Sequence, residues 1–197
     1  MANVSAVKAK YFEPDGVDDD QVSASGSATT LVIADGGPYG NLTETITLYS
    51  SGNNSGNTFT ITGTDGNGDA QTETLTGPDT TTVSSANKYA TVTSIVASGP
   101  ITTQIQAGIL GTGALTGIVF AGRTRIRGIT GTSKASAGNI VFKNTSITGT
   151  TLLTIPLTGA VGNIDPYIPD NGVLFSAGAY INLTAADVTG ITVYYDG

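Results

Sequence analysis

Residues 58–75, TFTITGTDGNGDAQTETL, decide the fold class of this sequence. In residues 58–62, Phe59 and Ile61 alternate with threonines, a period of two that is typical of a half-buried β-strand. Residues 65–69, DGNGD, follow, and glycine and asparagine tolerate the positive φ angles of a tight turn. The stretch therefore predicts a β-hairpin whose second strand covers residues 71–75.

The same signals extend over the rest of the chain. Residues 45–49 alternate in the same way, and residues 50–56, SSGNNSG, predict the loop that follows. Residues 164–172 contain two prolines, so we expect an ordered crossing loop there, and a single turn at 184–188 is the one helical candidate. Further strands are predicted at residues 4–12, 29–34, 89–97, 101–109, 118–120, 124–130, 139–143, 151–155, 173–175, 180–183 and 191–195.

The composition and the glycine- and proline-rich breaks between strands predict an all-β protein of two small antiparallel β-sandwich domains, of jelly-roll or Ig-like type. The 197 residues are 39% hydrophobic and 12% charged, and residues that strongly favour helices are few. The glycine-rich stretch 108–117 suits a linker. We therefore predict an acidic N-terminal arm or first strand at residues 1–27, an acidic domain at 28–112 and a near-neutral domain at 113–197. Residues 1–112 hold eleven acids and three bases, a net charge of −8, whereas residues 113–197 carry +1.

Histidine and cysteine are both absent. This excludes disulfides, thiolate metal sites, His-ligated zinc and catalytic triads with a histidine base. Paired carboxylates or a Ser-Lys pair would remain for catalysis, but the carboxylates of this chain concentrate in loop-like segments. We expect no enzymatic activity and no cofactor. The acidic charge argues against nucleic-acid binding. No signal peptide or membrane-spanning segment is visible in the sequence, so we expect a protein that is kept in a cytoplasm or released by lysis.

Two acidic segments could hold a cation. Asp65, Asn67 and Asp69 resemble the opening of a calcium loop, but Ala70 and Thr76 replace the glycine and glutamate that such a loop requires. We therefore favour a hairpin turn. The other segment contains Asp15 and the three successive residues Asp18, Asp19 and Asp20. An acidic loop without a bound ion is the simpler interpretation of this segment, and such a loop would be mobile or would become ordered only against a partner.

Three arginines form the sharpest candidate site. Arg123, Arg125 and Arg127, which we name the arginine row, would lie on one face of a strand, with Ile126 on the other. The row is either a solvated strand face that blunts a sheet edge or a partner-binding stripe, for instance for an acidic protein surface such as that of a neighbouring copy. A second candidate is a sugar-stacking platform, although packing is the simpler use for its tyrosines. Its members would be Tyr167, Tyr180, Tyr194 and Tyr195.

Several segments resemble β-domains of tailed-phage virion proteins. Residues 58–77, TFTITGTDGNGDAQTETLTG, and 89–98, YATVTSIVAS, resemble one domain that recurs in such proteins. A second set resembles a small β-domain in structural proteins of marine and cyanobacterial phages. It consists of residues 125–129 (RIRGI), 137–143 (AGNIVFK), 149–155 (GTTLLTI) and 170–176 (DNGVLFS).

The resemblance implies a virion structural protein, present in repeated copies on a symmetric particle and assembled in the host cytoplasm. It implies a head decoration or cement subunit that contacts the major capsid protein or other virion proteins, with a homo-oligomer such as a trimer as the expected form. A fibre or adhesin module that binds host glycans, and a tail or neck component, remain alternatives. The resemblance transfers no functional residue, and neither nucleic acid nor membrane is an expected partner.

Overall fold

The protein is an all-β, antiparallel structure, as the sequence predicts. The computed structural model describes residues 6–197, in which no helix is present, and hence none that could cross a membrane. The strands are β1 (Lys8–Phe12), β2 (Asp18–Gly26), β3 (Glu44–Tyr49), β4 (Thr58–Thr64), β5 (Ala70–Thr76), β6 (Thr82–Tyr89), β7 (Thr91–Ala97), β8 (Ile105–Ile109), β9 (Ala114–Phe120), β10 (Thr124–Ser133), β11 (Ala137–Asn144), β12 (Thr151–Thr158), β13 (Gly162–Ile164), β14 (Val173–Phe175), β15 (Ala179–Thr184) and β16 (Val188–Asp196).

The strands belong to two compact units with separate hydrophobic cores. One unit, which we call the basic unit, combines the described residues up to Pro14 with Gly40–Leu42 and Thr112–Gly197. Its two sheets have the strand orders β1-β16-β10-β13, with β14 also on β10, and β12-β11-β15-β9. Alternate residues of these strands, such as Phe142, Ile181 and Val193, are fully buried in one shared cluster, the arrangement of a β-sandwich.

The other unit, which we call the acidic unit, consists of Asp15–Tyr39 and Thr43–Gly111. Its sheets have the orders β2-β8-β3-β6 and β5-β4-β7. Its core includes Phe59 and Ile61, the two residues whose alternation predicts β4. β4 and β5 pair in unbroken register from Thr58 opposite Thr76 to Thr64 opposite Ala70, so the predicted hairpin is confirmed.

Several segments differ from the sequence predictions. Residues 82–89 form β6, which was not predicted, and the predicted linker at 108–117 is mostly strand, since β8 ends at residue 109 and β9 begins at residue 114. Residues 29–34 form no strand; Thr30 makes one isolated bridge with Val96, because hydrogen bonds of this segment go to separate strands. The proposed helical turn at 184–188 is a turn between β15 and β16, closed by the Asp187 amide on the Thr184 carbonyl. For the acidic segment, predicted as an arm or a first strand, the strand is observed, since Asp18–Gly26 is an edge strand paired with β8. The predicted strand 4–12 begins outside the described residues, and of its described residues, 8–12 form β1.

The division into units separates the charges more strongly than the predicted boundaries do. The described residues up to Pro14 belong with the C-terminal part of the chain because β1 pairs with β16, whereas residues 15–27 belong to the other unit. Ten acids and one base therefore fall in the acidic unit, a net charge of −9. Five acids and seven bases fall in the basic unit, a net charge of +2.

Candidate functional site

The arginine row lies at the beginning of β10, in the five-stranded sheet of the basic unit. Thr124 and Ile126 are buried, while the three arginines that alternate with them are at least partly exposed, as the spacing predicts. Arg123 precedes the strand, and a register shift between Ile126 and Gly128 places Arg127 at a β-bulge against β16. Bulges re-aim side chains, so this one turns the end of the row away from a regular strand face.

Two of the arginines are held by neighbouring backbone and side-chain groups. Arg125 donates from Nη1 to the carbonyl oxygen of Asn171 at 3.0 Å, and Arg127 Nε lies 3.4 Å from Asp196 Oδ2. The stem of Arg127 packs against Gly172, where φ is +66° and a Cβ atom would lie 3.0 Å from the arginine Cδ. The loop at 164–172 therefore positions the row.

The row retains much unused hydrogen-bonding capacity. A guanidinium has five N–H donors, and the bonds above occupy only some of them. Arg123 makes no hydrogen bond or ion pair with any described residue, and Asp196 Oδ1 is buried without a donor among residues 6–197. A cleft of about 280 Å³ lies between Arg123, Arg125 and Asp196. The arrangement suits a partner with planar, negatively charged groups.

The four predicted platform tyrosines do not share a surface. Tyr180 is only 6% exposed, and the Tyr195 ring packs at 5.8 Å from that of Phe120. Tyr194 and Tyr195, as successive strand residues, point to opposite faces. Tyr167 is 85% exposed in the loop before β14.

A different pair of tyrosines lies on the outer face of the same sheet as the arginine row. A Cβ atom at Gly190 would fall 2.2 Å from the Tyr11 hydroxyl, and one at Gly128 would fall 3.4 Å from the Tyr194 ring. Both side chains thus lie along the sheet over glycines. Sequence reasoning missed Tyr11 because its position depends on the pairing of β1 with β16, which is a long-range feature.

The Asp65 turn is a hairpin turn, as favoured from the sequence. Asp65 Oδ1 accepts hydrogen bonds from the amides of Asn67 at 2.8 Å and Asp69 at 2.9 Å. The carboxylate therefore stabilises the turn itself. Among residues 6–197 no group of three or more acidic, histidine or cysteine side chains is arranged to hold a metal ion.

Replacing Asp65 with alanine is expected to destabilise the acidic unit by about 1 to 2 kcal/mol, since two amides lose a charged acceptor. Asp69→Ala is the matched control: it removes the same charge from the same loop, but the Asp69 carboxylate makes no hydrogen bond with the described residues. Urea unfolding of the two variants measures the difference. An equal loss in both would show that the loop charge, and not the turn geometry, is responsible.

The second acidic segment also has structural roles. Asp15 Oδ2 accepts a hydrogen bond from Gln21 Nε2 at 3.0 Å, and Asp18 Oδ1 accepts one from the amide of Asp20 at 3.2 Å. The carboxylates of Asp19 and Asp20 are exposed, and neither has a partner in the described part of the chain. They lie on an edge strand, where charges discourage pairing with other strands.

One titratable group that sequence reasoning missed is buried in the acidic unit. Glu44, at the start of β3, is 0% exposed, and neither carboxylate oxygen reaches hydrogen-bonding geometry with a described donor. Burial raises the pKa of Glu44 to about 7. The Lys88 charge and nearby amides of Gly111 and Thr45 oppose that rise, and Asp15 adds to it. The sequence does contain a signal for this burial, because Glu44 lies two residues before Ile46 and four before Leu48, on the same buried face of β3.

Comparisons with known proteins identify no family. No protein-family model and no curated protein matches the chain. Solved structures that match include the crystal structure of a "putative secreted protein" from Parabacteroides distasonis, with 10% sequence identity and a TM-score of 0.22 over all of this chain and 90% of the other. At that TM-score the likeness supports no statement about fold or function.

Proposed function

We propose that this chain is a structural protein of a tailed-phage particle, and specifically a head decoration or cement subunit. The resemblance of residues 58–77 and 137–143, among others, to virion β-domains supports this role. The fold is compatible with it, since two all-β units with separate cores offer stable surfaces for protein contacts.

The arginine row is the observation that carries the proposal. Asn171, Gly172 and Asp196 hold two of its side chains in place, so a partner would bind them with little loss of side-chain entropy. The remaining donors suit carboxylates or carbonyl oxygens on a protein surface. In the proposed role the partner is the major capsid protein or another virion protein, the chain is non-catalytic, and its location is the virion.

Capsid binding tests the proposal. The experiment uses empty capsids of the encoding virus from which this protein has been removed. Purified protein is expected to bind these capsids and to raise the temperature at which the capsids rupture. Arg125→Glu should weaken that binding on the order of ten-fold or more, because a charge reversal places like charges against the partner. Lys143→Glu, on the other sheet of the basic unit, is the matched control. Failure of the unmodified protein both to bind and to stabilise capsids would refute this role.

The adhesin alternative has one observation in its favour. Tyr11 and Tyr194 expose aromatic rings on the face of the sheet that carries the arginine row, and aromatic rings stack on sugars. A glycan array probed with the purified chain would show binding that Tyr194→Ala abolishes if this alternative holds. A tail or neck position would instead be recognised from the symmetry of the copies in images of the particle.

A further inference from the structure

Charge is segregated between the two units of the chain. The acidic unit carries a net charge of −9 with Lys88 as its one base, and the basic unit carries +2. Only one ion pair, between Arg127 and Asp196, occurs among residues 6–197. Most charged side chains therefore have no oppositely charged side chain paired with them among these residues.

The basic unit has seven basic side chains, and three of them form the arginine row. Three of its four lysines are occupied by carbonyl groups: Lys8 Nζ donates to Gly197 at 2.6 Å, Lys10 Nζ to Ile118 at 2.7 Å and Lys134 Nζ to Ala185 at 2.8 Å. The fourth, Lys143, is partly buried on β11. Arg123 is exposed and unpaired within the described chain, and lies beside Arg125 at the same cleft.

Part of the unpaired negative charge of the acidic unit lies on the edge strand β2. Some acids of this unit have structural partners: Glu73, for example, accepts from the amides of Ala86 and Asn87 at 2.8 and 2.9 Å. Asp19 and Asp20 have none among the described residues, and both are exposed. β2 pairs with β8 on one side only, and irregularly, which leaves its outer side open.

We propose that the arginine row of one copy binds the acidic unit of a second copy, at the β2 edge that carries Asp19 and Asp20. This inference rests on the proposed structural role, which requires contacts between repeated copies. The contact joins two different surfaces, so in a bound pair one copy retains a free acidic edge and the other a free row. Such heterologous contacts form rings or open chains of copies.

Sedimentation velocity of the full chain, without capsids, tests the contact. Self-association is expected at about 0.01 M salt and should be lost at about 1 M, where the Debye length falls from about 30 Å to about 3 Å. A chain that stays monomeric at low salt, or associates equally at both salt concentrations, would overturn the proposal.

Charge reversals locate the contact. Arg123→Glu, whose side chain has no partner to lose, and Asp19→Arg should each weaken self-association on the order of ten-fold or more. Combining both in one chain should restore it, because the reversed charges again attract. Lys143→Glu and Asp79→Arg make the same charge changes elsewhere in each unit. Equal effects of these controls, or no recovery in the double variant, would show that net charge alone governs association.

The same variants separate this inference from the proposed function. Capsid binding by a chain that does not self-associate would overturn the copy-to-copy contact and leave the decoration role standing. Self-association without capsid binding would support the copy-to-copy contact and refute the decoration role. Glycan binding in place of either would favour the adhesin alternative.

Discussion

Replacing Glu44 with glutamine is expected to stabilise the acidic unit above pH 7 and to remove most of its pH dependence between pH 5 and 8. Glu44 is fully buried and no described donor satisfies its carboxylate, so its ionised form is costly in the folded state. Burial raises its pKa from the ordinary 4.5 to about 7. The folded chain therefore binds a proton more tightly than the unfolded chain.

The direction of the effect follows from this difference. The contribution of protonated Glu44 to stability is complete below pH 4.5 and is lost as the pH rises through about 7. A difference of this size corresponds to about 3 kcal/mol between pH 4 and pH 9. Thermal unfolding of the unmodified protein should show a lower Tm for the acidic unit at pH 8 than at pH 5, and Glu44→Gln should reduce that difference.

The composition of the chain makes this experiment specific. Histidine is absent, so no other side chain with an ordinary pKa titrates between about pH 5.5 and 7.5. Glu13→Gln, an exposed change in the basic unit, is the control for loss of one negative charge. A pH dependence that Glu44→Gln leaves intact would mean that another group takes up the proton.

Local pattern explains which parts of the fold were predictable. The hairpin at residues 58–75 was predicted because its turn and both of its strands are adjacent in sequence, and Phe59 and Ile61 mark the buried face. Residues 29–34 are richer in apolar residues but form no strand, because the Leu31 amide bonds Ile95 and the Ala34 amide bonds Val22, which lie in different strands. Strand propensity alone does not supply a pairing partner.

The candidate site shows the same limit. Alternation placed the arginine row on the exposed side of β10, and the structure agrees. Its contacts with Asn171 and Asp196 depend on β14 and β16 pairing with β10, at sequence separations that no local pattern reveals. The acidic segment shows a related limit: three successive aspartates leave an arm and a strand as alternatives, and only the pairing with β8 and the burial of Val22 in the core decide for the strand.

Replacing Phe142 with alanine is expected to destabilise the basic unit by about 3 to 5 kcal/mol. The side chain is fully buried on β11, opposite Leu153 of β12 and Ile181 of β15, so its removal leaves a cavity between well-packed neighbours. A loss of this size is a large share of the about 5 to 15 kcal/mol that stabilises a typical domain. Urea unfolding should show the loss.

Hydrogen exchange and two further variants test whether the cavity is the cause. Amides of β11 and β15 should exchange faster in Phe142→Ala, while those of β4 and β7, which lie in the other core, should change little. Phe142→Leu should cost much less, because it keeps most of the buried volume. Leu152→Ala, on β12 but 42% exposed, should change stability by less than about 0.5 kcal/mol. Comparable losses in Leu152→Ala and Phe142→Ala would contradict the core assignment, because burial is the property that distinguishes the two side chains.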